Sequence, residues 1–262
     1  MSLTQSIKRL LYRNLSLESY LKVLSRGFFV GYRLGIGRHS AAYEYPHFLS
    51  RLVAKGDTVL DIGANLGYYS RILSHLVGDQ GVVLAVEPVK PILGVLKHNL
   101  RGCHNVEIHN CALGAEEKEI TMGNDSSRYT GYMGTGQNFV MDAENGTTDH
   151  AAQEFTAHMC RGSELFKRLP RLDFIKCDIE GYEVVVMRDM RDIIEHHQPT
   201  VLIETGGEKR TEIVRLFEEL GYVGYTLHRG RLVSLTPESD KDIVFIHASK
   251  LPRHRELILQ CE

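Results

Sequence analysis

The sequence lacks an excess of charge of either sign. Its 262 residues contain 31 lysines and arginines against 33 aspartates and glutamates, a formal net charge of −2 at pH 7 with neutral histidines. A protein that recognises a polyanion usually carries a basic surface. We therefore expect neither nucleic acid nor an anionic membrane as the partner.

The sequence also lacks the residue spacings that hold a zinc ion or build a disulfide framework. The five cysteines are scattered along the chain: Cys103, Cys111, Cys160, Cys177 and Cys261. No two of them form a Cys-x-x-Cys pair, and the 13 histidines show no His-x-His or His-Glu-x-x-His motif. We expect reduced thiols and no metal site.

Long apolar runs are missing as well. The longest near the N-terminus, residues 27–32, is too short for a signal-peptide core or a membrane span, so we expect a cytoplasmic protein without a transmembrane helix. Residues 3–25 have apolar positions at helical spacing and predict two helices, which Gly31, Gly35 and Gly37 follow as a loop. We interpret them as helices that pack on the main domain, roof its site or form a homodimer face, rather than as membrane-surface helices.

The composition predicts one main domain. Hydrophobic residues make up 43% of the chain and charged residues 24%, so the chain can bury a full core. We divide it into a helical extension at residues 1–42, an α/β domain at residues 43–250 and a tail at residues 251–262.

The stretch at residues 57–70 predicts a strand, a turn and a helix. Val59, Leu60 and Ile62 form a short apolar run typical of a strand buried on both faces, and helical spacing follows. Gly63 and Gly67 allow a sharp turn in which a ligand can approach the free N–H groups of the helix.

This turn lacks the Gly-x-Gly-x-x-Gly fingerprint of dinucleotide-binding folds, which disfavours NAD. The charge of Asp61 at the end of the strand suits the ammonium and sulfonium groups of S-adenosylmethionine (SAM) better than a pyrophosphate. The alternative is that Asp61 only caps the turn. The predicted SAM-binding residues here are Asp61, Gly63, Ala64, Asn65 and Gly67.

A second buried strand ends at Glu87 and Pro88, 20 residues after Gly67. A carboxylate at this place can accept hydrogen bonds from both hydroxyls of a ribose, and the proline stops the strand. Residues 106–113 predict a third strand with Cys111 and Ala112 at its exit. These two residues would flank adenine, or would form an ordinary strand end.

Residues 172–178 predict a fourth strand that brings Asp178, Glu180 and Glu183 to the edge of the sheet where ligands bind. Asp178 and Glu180 are the predicted catalytic carboxylates. Glu183 has an alternative role, because a carboxylate in the first turn of a helix is favoured by the helix dipole.

Two further strands end in side chains that can move a proton. Glu204 follows an apolar strand at residues 200–203, and His228 follows another at residues 222–227. Both are therefore secondary candidates for a catalytic base, although histidines at strand ends are often surface residues.

Residues 122–152 contain five glycines and no sustained period, which is typical of a functional loop, here a substrate lid. Tyr129, Tyr132 and Phe139 within it would either stack on the acceptor or anchor the loop.

Several of these segments together resemble the FkbM-type methyltransferases. They are DIGANLGYYS at residues 61–70, VEP at 86–88, NCALG at 110–114, FIKCDIEGYE at 174–183 and PTVLIE at 199–204. The resemblance implies a class I (Rossmann-like) methyltransferase fold, with a seven-stranded, mostly parallel sheet between helices, and SAM-dependent O-methylation of hydroxyls on sugars or secondary metabolites. The chain departs from the family pattern at residues 159–164 and 186–189, which concerns the substrate more than the fold.

The sequence therefore predicts a SAM-dependent O-methyltransferase that acts on a small-molecule or glycan hydroxyl. Two alternatives stay open at this point. Clustered carboxylates also suit a divalent-metal-dependent O-methyltransferase, and a chain that has lost its base would be a non-catalytic SAM-binding or scaffold protein.

Overall fold

The structure of the chain is a computed structural model that describes residues 3–38, 40, 43–141, 150–236 and 239–259. The strands, in chain order, are β1 Thr58–Ile62, β2 Val82–Val86, β3 Val106–His109, β4 Ala112–Gly114, β5 Lys118–Asn124, β6 Asn138–Val140, β7 Gln153–Arg161, β8 Phe174–Cys177, β9 Thr200–Glu204, β10 Tyr222–His228, β11 Arg231–Ser234 and β12 Asp242–His247. The helices are α1 Leu3–Asn14, α2 Leu17–Arg33, α3 Glu44–Leu52, α4 Tyr68–Val77, α5 Lys90–Asn99, α6 Ser126–Thr130, α7 Gly162–Leu165, α8 Glu183–Asp189, α9 Arg191–His197, α10 Gly207–Glu219 and α11 Leu251–His254. Among the described helices, none has the length and apolar character needed to cross a bilayer.

The main sheet confirms the predicted fold class. Its strand order is β11-β10-β12-β9-β8-β1-β2-β3. The five neighbouring strands β9, β8, β1, β2 and β3 pair in parallel. Strand β12 runs antiparallel to both β9 and β10. The sheet is therefore mostly parallel, as the resemblance implied, with an antiparallel edge.

The described sheet has eight strands, one more than the seven expected. The Arg229-Gly230 turn joins β10 to the additional strand β11 and does not lead directly into β12. Both turn residues have positive φ, 51° and 75°. Two successive positive φ values match the twist of a two-residue hairpin, which explains the extra strand.

The central strand β1 is buried on both faces, as predicted. Val59 packs with Val83 and Phe174 on one face of the sheet. Leu60 and Ile62 pack into the cluster on the other face. Helices cover both faces of the sheet, so a polar ligand can bind only at the edge where the parallel strands end.

The two predicted N-terminal helices are present, but α2 continues through Gly27 and Gly31 to Arg33. The expected start of the loop at Gly31 is therefore wrong. A Cβ at Gly31 would lie 2.5 Å from the Tyr43 hydroxyl oxygen, so this glycine provides a close packing contact rather than a helix end.

The N-terminal helices bond to the segment that follows β5. The Arg9 guanidinium donates to the Thr130 carbonyl at 2.7 Å, and the Tyr20 hydroxyl donates to the Met133 carbonyl at 3.0 Å.

The predicted third strand is split between two sheets. After β3, the Asn110 side-chain amide donates to the carbonyls of Glu87 and Pro88, and the chain leaves the main sheet. Strand β4 then joins a second sheet of order β4-β7-β5-β6. Residues 122–152 are thus only partly irregular, since they include the end of β5, helix α6 and β6. Residues 142–149 of that stretch lie outside the described residues.

Candidate active site

A cavity of about 590 Å³ opens where β1, β2 and β8 end, and we call it the first cavity. It is lined by Ile62, Gly63, Asn65, Val86, Glu87, Pro88, Val89, Cys111, Ala112, Leu113, Met122, Thr135, Gly136, Asn138, Val140, Asp178, Ile179, Glu180 and Tyr182. The lining residues include Glu87 and Asp178, which were predicted at strand ends, and residues of the second sheet such as Met122 and Val140.

Glu87 is a buried carboxylate that lines the first cavity. Its side chain is buried, one carboxylate oxygen accepts the Asn65 N–H at 2.9 Å, and the other accepts the Val89 N–H at 2.9 Å. Each oxygen keeps a further lone pair for a ligand hydroxyl. Desolvation by burial, opposed by these two N–H groups, raises the pKa of Glu87 to about 7.

The turn after β1 lets the backbone form part of the wall. Gly63 has φ 78°, and a Cβ there would lie 2.0 Å from the Asp178 carbonyl oxygen. Asn65 has φ 52°. Its side-chain oxygen is buried without a hydrogen-bond partner among the described residues. Such an atom is costly unless a ligand or water bonds to it, so Asn65 fits a polar ligand.

Two predicted SAM-binding residues of this turn do not line the cavity. Ala64 packs with Leu93 and Leu96 instead. Gly67 begins α4, and a Cβ there would lie 2.9 Å from Leu96 Cδ1. Both residues pack the turn against α5, and their predicted role in SAM binding stays a prediction.

Asp61 also does not line the first cavity, and its predicted role beside the cationic groups of SAM stays a prediction. Its side chain is fully buried and accepts the Ser70 hydroxyl at 2.5 Å. Its other oxygen is 3.8 Å from the Lys176 ammonium, which stands beside it in the β1–β8 register. Because both faces of β1 are buried, the apolar pattern could not show which face Asp61 points to.

Lys176 is the residue of this site that the sequence analysis missed. The side chain is buried, and its ammonium donates to the Gly63 carbonyl at 3.2 Å and lies 3.4 Å from an Asp178 oxygen. Desolvation by burial would lower the pKa of Lys176, but the carboxylates of Asp178 and Asp61 raise it above its ordinary value. Lys176 is therefore a buried cation that joins the turn after β1 to the acidic end of β8.

An apolar part of the cavity wall includes the two residues predicted to flank adenine, and their contact with adenine stays a prediction. Cys111 and Ala112 lie on it, together with Pro88 and Val89. Burial and the neighbouring Cys160 raise the pKa of Cys111 to about 12, so its thiol is neutral. Leu113 and Met122 extend this wall; the sequence analysis did not single them out.

A second cavity, of about 330 Å³, adjoins the first and shares Asp178 and Glu180 with it. The other residues that line it are Gly181, Glu183, Glu204, Thr205, Gly206, Lys209 and Lys241. The structure thus brings the predicted residues Asp178, Glu180 and Glu204 together at one edge.

Carboxylates around the second cavity differ in their surroundings. Glu183 accepts the Gly181 N–H at 2.9 Å in the first turn of α8, which is the structural role considered for it. Glu180 lines both cavities and is exposed at their boundary, where partial desolvation and the charges of Asp178 and Glu204 raise its pKa to about 7. Burial and Asp178 likewise raise the pKa of Glu204 above its usual range.

His228 does not belong to this site. Its side chain is exposed at the end of β10 and lines a separate surface cavity with Glu44, Arg229 and Asp240. Strands β12 and β9 lie between β10 and β8 in the sheet, so the structure does not bring His228 to the two cavities, and its role as a base stays a prediction.

The described part of residues 122–152 closes one side of the first cavity through Thr135, Gly136, Asn138 and Val140. The three aromatic side chains predicted to stack or anchor do not line it. Tyr132 is buried in the core, whereas Tyr129 is 82% exposed. Phe139 lies against Gly123, where a Cβ would be 2.8 Å from its ring.

These groups fit SAM. Glu87 offers two acceptor oxygens, Asn65 an unpartnered oxygen, and Cys111 and Ala112 an apolar wall. No group of three or more His, Cys, Asp or Glu side chains is arranged to hold a metal ion in the part of the chain that the structure describes.

Solved structures of other proteins are similar to this chain. One is the methyltransferase FkbM from Methylobacillus flagellatus KT, with 17% identity and a TM-score of 0.49, covering 74% of this chain and 44% of that chain. Another is the fibrillarin of Aeropyrum pernix, solved with natively bound SAM, with 15% identity and a TM-score of 0.44, covering 78% of this chain and 73% of that chain.

A curated relative and a family profile match the sequence itself. The relative is the protein-L-isoaspartate O-methyltransferase of Methanosarcina mazei, 31% identical over 112 residues, which are 41% of this chain and 42% of that protein. The match therefore spans about two fifths of the length of that relative. The profile of the methyltransferase FkbM domain matches residues 61–223, which include β1, Glu87 and Asp178. The chain belongs to the FkbM methyltransferase family of SAM-dependent enzymes.

Proposed function

We propose that the chain transfers the methyl group of SAM to a hydroxyl oxygen of a sugar or secondary metabolite. The observation that carries this proposal is the position of Asp178 and Glu180, which line both the first and the second cavity. Side chains at such a boundary can contact a cofactor on one side and an acceptor on the other.

In this proposal the first cavity holds SAM. Glu87 accepts the two ribose hydroxyls, Asn65 contributes its free oxygen, and Cys111 and Ala112 flank the adenine ring. SAM bound there would supply an electrophilic methyl group. The chain supplies position, since holding two reactants in line is the main source of rate enhancement in a displacement of this kind.

Glu180 is proposed as the general base. An alcohol is a weak nucleophile, and a nearby carboxylate can orient it and accept its proton. With its pKa raised to about 7, Glu180 is a stronger base than an ordinary carboxylate and is still largely ionised slightly above neutral pH. Asp178, held by the Lys176 ammonium at 3.4 Å, would orient the acceptor hydroxyl. Glu204 is a second candidate base at the same edge.

Transfer to oxygen is also supported by the name of the curated relative, an O-methyltransferase. The two alternatives differ from it in measurable ways. A divalent-metal-dependent enzyme would lose activity with EDTA and regain it with Mg²⁺. A non-catalytic SAM-binding protein would bind S-adenosylhomocysteine but show no transfer with any acceptor.

The test is to incubate the protein with SAM carrying a ¹³C-methyl group and a panel of hydroxyl-bearing sugars and metabolites. Product NMR then assigns the labelled methyl to oxygen, nitrogen or carbon. We expect an O-methyl product, unchanged by EDTA, whose rate falls about 10²- to 10⁴-fold in Glu180→Gln. Glu195→Gln, an exposed residue of α9, is the matched control. A labelled methyl on nitrogen or carbon would contradict the proposal.

A further inference from the structure

The second cavity carries more carboxylates than lysines. Its titratable side chains are Asp178, Glu180, Glu183, Glu204, Lys209 and Lys241. Asp242 stands next to this wall, because it pairs with Glu204 in the β9–β12 register.

Part of this charge is already satisfied within the protein. Lys176 lies 3.4 Å from Asp178, and Glu183 accepts the Gly181 N–H at 2.9 Å. The Lys209 ammonium donates to the Gly181 carbonyl at 2.6 Å. These contacts leave Glu180, Glu204 and Asp242 as the carboxylates without an ion-pair partner among the described residues.

The charge of Glu204 acts on both of the other carboxylates and disfavours their ionised forms. No lysine, arginine or histidine nitrogen of the described residues lies within 4.0 Å of Glu180, Glu204 or Asp242. Burial and the charges of Glu204 and Asp178 raise the pKa of Asp242 to about 7. The charge of Lys241 opposes the rise in the pKa of Glu180 and Glu204 but does not cancel it. The aliphatic chain of Lys241 lies against Gly206. A cation brought in by a ligand would relieve this repulsion.

An uncharged group in the same wall also needs a ligand. Thr205 lines the second cavity and is 3% exposed. Its hydroxyl has no hydrogen-bond partner among the described residues, although its backbone N–H donates to the Lys241 carbonyl at 3.0 Å. A buried hydroxyl without a partner is costly, and a polar ligand in the cavity would satisfy it.

We infer that the second cavity is the acceptor subsite and that the acceptor carries a protonated amino group beside the hydroxyl that is methylated. This inference rests on the proposed function. The ammonium would pair with Glu204, which leaves Glu180 to accept the hydroxyl proton, and the Thr205 hydroxyl would bond to another polar atom of the acceptor. An anionic acceptor would meet the unpartnered carboxylates and be repelled.

The test compares the binding of matched sugars to the protein saturated with S-adenosylhomocysteine. Glucosamine, galactosamine and mannosamine are titrated by calorimetry beside their N-acetyl derivatives, which keep the ring and lose the charge. At least one amino sugar is expected to bind about 10- to 100-fold more tightly than its N-acetyl partner, the scale of a hydrogen bond to a charged group. Glu204→Gln should reduce this ratio and Glu195→Gln should not. Thr205→Val, which is nearly isosteric, should weaken binding of the same amino sugar without lowering the melting temperature.

If no amino sugar binds more tightly than its N-acetyl partner, the inference is wrong. It is equally wrong if the preference survives unchanged in Glu204→Gln. Neither outcome concerns the atom that is methylated, which the labelled product reports separately. An amino-sugar preference together with a labelled methyl on nitrogen would keep the second cavity as the site of the amino group, and would refute methylation of the neighbouring hydroxyl.

Discussion

Replacement of Glu87 by glutamine perturbs the centre of the proposed cofactor site with little change in volume. The carboxylate accepts two backbone N–H groups, from Asn65 and Val89, each at 2.9 Å. A glutamine can offer one oxygen, so its NH₂ group would face a backbone donor. It would also fail to accept one ribose hydroxyl. Loss of a hydrogen bond to a charged group costs about 1.5–3 kcal/mol, so we expect SAM to bind about 10- to 150-fold more weakly.

Stability should change less than affinity. Burial already disfavours the Glu87 carboxylate and raises its pKa to about 7, so a neutral amide removes that cost while it loses one backbone hydrogen bond. Calorimetry with S-adenosylhomocysteine measures the affinity, urea unfolding measures the stability, and Glu195→Gln is the control.

The pH dependence gives an independent sign. Ligand binding to the ionised carboxylate makes the affinity fall as pH decreases below about 7, approaching about tenfold per pH unit. Glu87→Gln should lose this dependence. If the variant binds S-adenosylhomocysteine as tightly as the wild type, Glu87 does not bind the ribose.

Three further outcomes are expected. Gly63→Ala should abolish SAM binding, since the added Cβ would lie 2.0 Å from the Asp178 carbonyl oxygen. The control Gly78→Ala should retain binding, because Gly78 also has a positive φ but no atom lies within 4 Å of the added Cβ. Equal affinities of the two variants in calorimetry would refute the argument. Lys176→Met leaves the carboxylates of Asp61 and Asp178 without their shared cation, so we expect the free energy of unfolding to fall by about 3–5 kcal/mol. A loss below about 1 kcal/mol in urea unfolding would contradict the role of Lys176 as their buried partner. At saturating SAM, where the ionisation of Glu87 no longer limits cofactor binding, the wild-type kcat/KM for the acceptor should rise with pH up to about 7 as Glu180 loses its proton. Glu180→Gln should lose that limb of the profile, and a variant that keeps it would remove Glu180 as the base.

The sequence predicted the parts of the fold and site that depend on period and strand ends. The run Val59 to Ile62 predicted a strand covered on both faces, and the structure has it. Glu87, Cys111 and Asp178 were placed at strand exits, and all three line the first cavity. Parallel strands end at one edge of a sheet, so these residues converge without any knowledge of the loops.

The remaining features depend on contacts between distant segments. The burial of Asp61 against Lys176 comes from the β1–β8 register, which no local pattern encodes. Ala64 lies in the same turn as Asn65, yet one packs on α5 and the other lines the first cavity. The split between β3 and β4 depends on hydrogen bonds from Asn110 to the neighbouring strand end.

A crystal structure with S-adenosylhomocysteine would test the central claim most directly. The ribose hydroxyls should lie within hydrogen-bond distance of both Glu87 oxygens, with adenine against Cys111 and Ala112. The homocysteine sulfur should face the boundary formed by Asp178 and Glu180. A nucleoside bound outside the first cavity, or one whose ribose does not contact Glu87, would contradict the proposed site.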